Sequence, residues 1–142
     1  MTDRIFIDTN ILIYAYLDSD VEKYEKSRAV LNYKFFDDTF YISTQVLNEF
    51  CVAFTKGKYL HKNINDFYYE ILDSYHILLV DVNTISLAVK LQKKYSTSWW
   101  DALMISSALE NKCNILYTED LHNIHYVENT LKIINPLLWF LV

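Results

Sequence analysis

Apolar residues recur along this chain in two periods that alternate from the amino end to the carboxyl end. Short apolar runs at Arg4–Ile7, 39–42, 76–80, Ile115–Tyr117 and Leu131–Ile134 have the length and composition of buried strands. Between them the apolar residues return every three or four positions, the spacing of helices. Asp8-Thr9-Asn10 supplies capping residues ahead of a mostly buried helix over 11–17. Over 21–36, Glu22, Lys23, Glu25 and Lys26 interleave with Tyr24, Ala29, Val30 and Leu31, which predicts an amphipathic helix with a solvated face. Ser43 or Thr44 caps the next helix, where Val46, Leu47, Phe50, Ala53 and Phe54 keep the helical period, and Gly57 stands where that helix should end. Further helices are predicted over 63–75, over 85–95 capped by Asn83 or Thr84, and over 99–111 capped by Ser98. Strands alternating with helices in this order predict an α/β fold. Its expected form is three-layered α/β/α, with a central, mostly parallel sheet of four to five strands.

Length and composition narrow the picture. At 142 residues with 52% apolar and 22% charged side chains, residues 1–142 are expected to form one folded domain. With one Gly and one Pro, the turns must rest on Asn, Asp and Ser. Cys51 and Cys113 lack metal or redox spacing and read as reduced, buried, small hydrophobes. No apolar run approaches the ~18–20 residues of a membrane span. No basic-plus-apolar leader precedes the first strand, so a cytoplasmic location is expected. The apolar tail from Pro136 onward either packs on the core or forms a self-association surface. A net charge of −5 excludes binding to nucleic acid through a broad basic face, but not an enzyme in which a cation supplies the positive charge.

The candidate chemistry lies in four acids. Asp8 follows the first strand, Asp120 lies just beyond Ile115–Tyr117, Asp101 falls in the first turn of the helix capped by Ser98, and Glu49 sits in the helix after the second strand. Open parallel sheets bind ligands outside the carboxyl ends of their strands, so these acids are expected to meet there. Each also has a plainer role when taken singly. Asp101 completes a capping box, Asp8 is an N-cap, Asp120 a turn residue, and Glu49 a partly exposed helix acid. Together they point to an acidic pocket for a hard cation, which lowers the pKa of water and stabilises charge on phosphate oxygens. His61, His76, His122 and His125 show no ligand spacing and are expected as surface or cap residues.

The segments around those acids are Phe6-Ile7-Asp8-Thr9-Asn10-Ile11-Leu12, Ile42-Ser43-Thr44-Gln45-Val46-Leu47-Asn48-Glu49-Phe50, Trp100-Asp101-Ala102-Leu103-Met104-Ile105-Ser106-Ser107-Ala108-Leu109 and Ile115-Leu116-Tyr117-Thr118-Glu119-Asp120-Leu121. In that order they resemble the PIN-domain family, and within it the VapC-type toxins of toxin–antitoxin pairs. The resemblance implies a metal-dependent endoribonuclease using Mg²⁺ or Mn²⁺. It makes Asp8, Glu49, Asp101 and Asp120 the catalytic quartet. Asp8 and Asp101 are then the direct metal ligands, Asp120 completes the shell, and Glu49 binds through water or orients the attacking water. Asn10 and Thr118 take supporting positions. The implied partners are an RNA substrate, a cognate antitoxin whose basic side chain covers the pocket, and a second copy in a homodimer. DNA would be reached only through the antitoxin, and no membrane partner is implied. The family's glycine is missing from the turn at 111–114, so Asn111 or Lys112 should adopt the left-handed conformation. The loop after Leu121 departs from the family pattern and should border the site.

Two other functions remain open from sequence. One is a PIN-fold module that binds RNA or protein without catalysis. The other is a metal-dependent small-molecule phosphohydrolase, although Asp8-Thr9-Asn10 lacks the second Asp of the D-x-D pattern.

Overall fold

Ile5, Phe6 and Ile7 are all buried, the continuous run expected of a strand covered on both faces. In the computed structural model, which describes residues 2–32, 39–55, 57–59, 62–121 and 123–140, they form strand β1 (Arg4–Ile7) at the middle of the sheet. β1 pairs in parallel with β2 (Thr39–Ser43) on one side, and β2 pairs in parallel with β3 (His76–Leu78), which forms the outer edge. On its other side β1 pairs in parallel with β4 (Ile115–Tyr117). A two-residue strand, β5 (Tyr126–Val127), runs antiparallel to β6 (Leu131–Ile134), which is itself parallel to β4. The sheet order is β3-β2-β1-β4-β6-β5.

The helices are α1 (Thr9–Tyr16), α2 (Val21–Asn32), α3 (Thr44–Val52), α4 (Asn65–Ser74), α5 (Val82–Tyr95) and α6 (Trp99–Glu110). The chain steps outward from β1 to β3 and then returns to β4 on the far side of β1. Right-handed crossovers therefore place α1 to α4 on one face of the sheet and α5 with α6 on the other. Packing agrees: α1 lies against α2 and α3, and α5 against α6. The reversal of direction falls between β1 and β4, the place where an open sheet offers a crevice.

All five expected strands are present, and β5 is an addition. β3 stops at Leu78 because the Val80 N–H turns away to the Thr44 hydroxyl at 3.2 Å. α5 is capped by Asp81, not by Asn83 or Thr84. Asp81 accepts the Thr84 N–H at 3.0 Å while the Thr84 hydroxyl accepts the Asp81 N–H at 3.2 Å, a complete capping box. α3 ends at Val52 and tightens into a 3-10 turn at Ala53–Thr55, and Gly57 takes the left-handed conformation at φ 67°. Lys112 is the left-handed residue of the 111–114 turn, with φ 58°. The expected continuation of the second helix over 33–36, and the roles expected of His61 and His122, lie outside the described residues.

α6 is buried on every side from Ala102 to Ala108, and its small residues let α5 approach: Ser106 donates to the Thr84 carbonyl at 2.7 Å. The carboxyl-terminal 3-10 turn, Pro136–Phe140, divides the tail. Leu137 is buried, whereas Leu138 and Trp139 are exposed, with Trp139 set edge-on to Tyr117. Among the described residues no helix is long and apolar enough to cross a membrane.

Candidate active site

The register of the central strands sets the site. Ile7 lies opposite Tyr117, and the Asp8 N–H donates to the Tyr117 carbonyl at 3.0 Å, so Asp8 and Thr118 emerge side by side at the carboxyl ends of β1 and β4. Asp8 occupies the N-cap of α1 in extended backbone, yet its side chain caps nothing. Its Oδ2 accepts the Thr118 hydroxyl at 2.7 Å. The same hydroxyl accepts the Asp120 N–H at 3.2 Å, so a single buried threonine ties one acid to the loop that carries another.

Asp8 is 8% exposed, and its pKa is raised from 3.8 to about 7. Burial is the main cause. The Thr118 hydroxyl and the Thr9 N–H pull the value down, and the charges of Asp120 and Asp101 push it up. Asp101 is raised as well, first by burial and then by Asp120, against a lowering from the Ser98 hydroxyl. Ser98 caps α6 by accepting the Asp101 N–H at 3.1 Å, and α6, sunk in the core, holds Asp101 at the mouth. Asp120 is exposed and accepts the Asn10 amide at 3.3 Å. Asp8, Asp101 and Asp120 therefore lie within electrostatic reach of one another.

Glu49 stands apart from that trio. Exposed on α3, its Oε1 accepts the Thr9 hydroxyl at 2.9 Å and the Gln45 amide at 3.2 Å. Gln45 also donates to the Trp100 carbonyl at 3.1 Å, joining α3 to the start of α6. Thr9 and Gln45 are supporting residues beyond those expected from sequence. The four-residue spacing of Gln45 from Glu49, which puts both on one helical face, is the signal that carries it.

The donors are all oxygens, and among the described residues no Lys or Arg forms an ion pair with any of the four acids. No three His, Cys, Asp or Glu among the described residues lie close enough to form a finished metal cage. The donor set nonetheless fits a hard divalent cation. Mg²⁺ takes one or two carboxylates and completes its shell with waters and phosphate oxygens. A buried, hydroxyl-supported carboxylate that its neighbours' charges disfavour is also the kind of group that a cation would relieve.

The loop after Leu121 helps to line a cavity of about 190 Å³ with Thr118, Glu119 and Ile133. Thr118 is the cavity's link to Asp8, and none of the four acids lines it. A larger cavity, about 390 Å³, lies at the amino ends of β2 and β3 between Tyr16, Arg28, Phe40 and Tyr75, and holds none of the four acids.

A family model described as PIN domain matches residues 5–127. Among solved structures, the chain is similar to a toxin–antitoxin complex from Klebsiella pneumoniae, with TM-score 0.67 and 19% identity over 93% of this chain and 97% of that one. It is similar to VapBC2 from Rickettsia felis bound to a promoter DNA fragment, with TM-score 0.66 and 20% identity over 93% and 99%. It is also similar to VapC20 from Mycobacterium tuberculosis, described as a Sarcin-Ricin loop cleaving toxin, with TM-score 0.70 and 14% identity over 87% and 97%. At these identities the likeness is one of fold. No curated protein matches the chain.

Proposed function

The chain belongs to the PIN domain family, and from that premise we propose that it is a metal-dependent endoribonuclease, the VapC-type toxin of a toxin–antitoxin pair. The observation that carries the proposal is Asp8: a carboxylate buried at the switch point of the sheet, raised to about 7, and accompanied by Asp101 and Asp120 instead of by a basic side chain. Asp8, Asp101 and Asp120 are the residues that would hold Mg²⁺ or Mn²⁺. When bound, the cation supplies positive charge to the phosphate oxygens and acidifies water.

The protein's own groups do the remaining work. Thr118 keeps the Asp8 carboxylate turned out of its capping role and toward the pocket. Asn10 restrains Asp120 from α1. Glu49, held by the Thr9 hydroxyl and the Gln45 amide, would take a proton from the attacking water. The water oxygen then bonds to phosphorus as the bridging P–O bond breaks, and the ribose oxygen of the departing RNA fragment takes up a proton from solvent.

The partners follow from the same surface. The acidic mouth suits a basic side chain from an antitoxin, and the neighbours that are toxin–antitoxin complexes support such a partner. DNA would be contacted through the antitoxin, since this chain carries a net charge of −5. A homodimer has apolar surface to use: Val82, Ile85 and Val89 are exposed on one face of α5, next to Leu79.

The test is cleavage of a total-RNA pool by purified, antitoxin-free protein with Mg²⁺, Mn²⁺ or EDTA, alongside Asp8→Asn and Asp101→Asn. Discrete metal-dependent fragments, lost in both folded variants, are expected. RNA left intact with every metal would sink the nuclease reading and leave an RNA- or protein-binding module.

A further inference from the structure

Asp120 poses a mechanical problem. It sits exposed on a loop, it is repelled by Asp8 and Asp101, and among the described residues its one side-chain restraint is the long 3.3 Å bond from Asn10. The residue before it is held far more firmly. Glu119 is mostly buried, and its carboxylate accepts the Tyr14 hydroxyl on one oxygen and Lys23 Nζ at 3.2 Å on the other. Lys23 also donates to the Tyr14 hydroxyl at 3.2 Å, and its ammonium lies 4.7 Å from the Tyr14 ring centroid. Tyr14 is one helical turn beyond Asn10, so the same face of α1 that touches Asp120 also grips its neighbour. Charge-assisted bonds of this kind are stronger and better oriented than neutral ones.

We infer that Tyr14 and Lys23 are positioning residues for the acid site: by clamping Glu119 between α1 and α2 they fix the 118–120 loop, and so hold the Asp120 carboxylate beside Asp8 against their mutual repulsion. The inference rests on the metal-binding reading of the site. It assigns Glu119, which has no place in the quartet, the task of holding an exposed loop acid as a ligand at a set position. Groups that orient metal ligands in this way commonly control affinity tenfold or more. A purely structural staple between α2 and the loop would instead contribute to stability alone.

Calorimetric titration with Mn²⁺ separates the two, run on wild type, Tyr14→Phe, Lys23→Met, Asp8→Asn and Lys26→Met, with a thermal melt of each. Lys26→Met breaks the pair with Glu22 on the same helix and touches none of the acids. Tyr14→Phe should weaken Mn²⁺ binding about tenfold, with Lys23→Met following it and Lys26→Met binding as wild type does. Because the substitution keeps the ring, Tyr14→Phe decides the matter. If it melts lower but binds Mn²⁺ as tightly as wild type, the clamp is only a staple and the inference is overturned. If wild type itself binds no Mn²⁺, the metal reading fails and the clamp falls with it.

Discussion

Asp8 and Glu49 belong to the same candidate quartet, yet the molecule treats them in opposite ways. Asp8 leaves a central strand, lies buried beside Thr118, and has its ionisation pushed up to about 7. Glu49 stands on an exposed helix face, with water on one side and the Thr9 and Gln45 donors on the other. Burial is the difference. A carboxylate at the sheet's switch point cannot be solvated, so its charge works against the fold until something positive shares it. Glu49, on the rim, is open to solvent and held by two donors. On the proposed reading the inner acid holds a cation and the rim acid takes a proton.

The largest effect expected from this contrast is at Asp8. Its folded-state pKa lies above the unfolded value of 3.8, so folding favours the protonated form. The stability linked to this group is fully present below about pH 4 and is lost as pH rises through about 7. Ionised in the metal-free fold, Asp8 costs roughly 4 kcal/mol. Asp8→Asn should therefore raise the melting temperature at pH 8 by about 10 °C, with the gain vanishing near pH 4. At the same time it should abolish RNA cleavage. Parallel melting curves for the two proteins across that range would erase the distinction between inner and rim acids.

Thr118→Val comes next. It removes the hydroxyl that supports the Asp8 carboxylate and accepts the Asp120 N–H. At pH 8 urea denaturation should show a loss of about 2 kcal/mol, the usual size for a bond to a charged group. Glu49→Gln should sharpen the contrast from the other side. Its stability should stay within about 0.5 kcal/mol of wild type, as for most surface changes, while the single-turnover cleavage rate falls at least 100-fold, in the range for loss of a general base. Asn10→Ala should be the mildest of the four. The bond it removes is long and exposed, so a few-fold loss of Mn²⁺ affinity by titration is expected, with an unchanged melt.

The inner half of the site was more legible in the sequence than its supports. A polar acid directly after a run such as Arg4–Ile7 marks a strand end, and strand ends in this topology gather at one edge. That logic placed Asp8 and Asp120, and Ser98 placed Asp101 through its capping bond. Thr9 and Gln45 were hidden because their value lies in contacts across elements, Thr9 from α1 to α3 and Gln45 from α3 to α6, which no local pattern displays.

The same limit explains β5. Two residues make no periodicity, and its turn puts Glu128 and Asn129 at φ 54° and 58°, where Asn is usual and Glu is not. Glu128 tolerates the position because Lys94 holds its carboxylate at 2.9 Å and the Tyr95 hydroxyl accepts its N–H at 2.9 Å, both from a helix more than thirty residues earlier. The Asp81 cap of α5 was masked for a different reason. Its reciprocal partner is Thr84 instead of the Glu or Gln that usually signals a capping box.

The most direct measurement is the melting temperature of wild type and Asp8→Asn at pH 5 and pH 8, each with and without Mn²⁺. Without metal, wild type should lose stability relative to the variant between pH 5 and pH 8. Mn²⁺ should restore it at pH 8 in wild type and leave Asp8→Asn unmoved. If wild type and variant shift together with pH and neither responds to Mn²⁺, Asp8 is not a buried charge that a cation relieves, and the active site drawn around it is wrong.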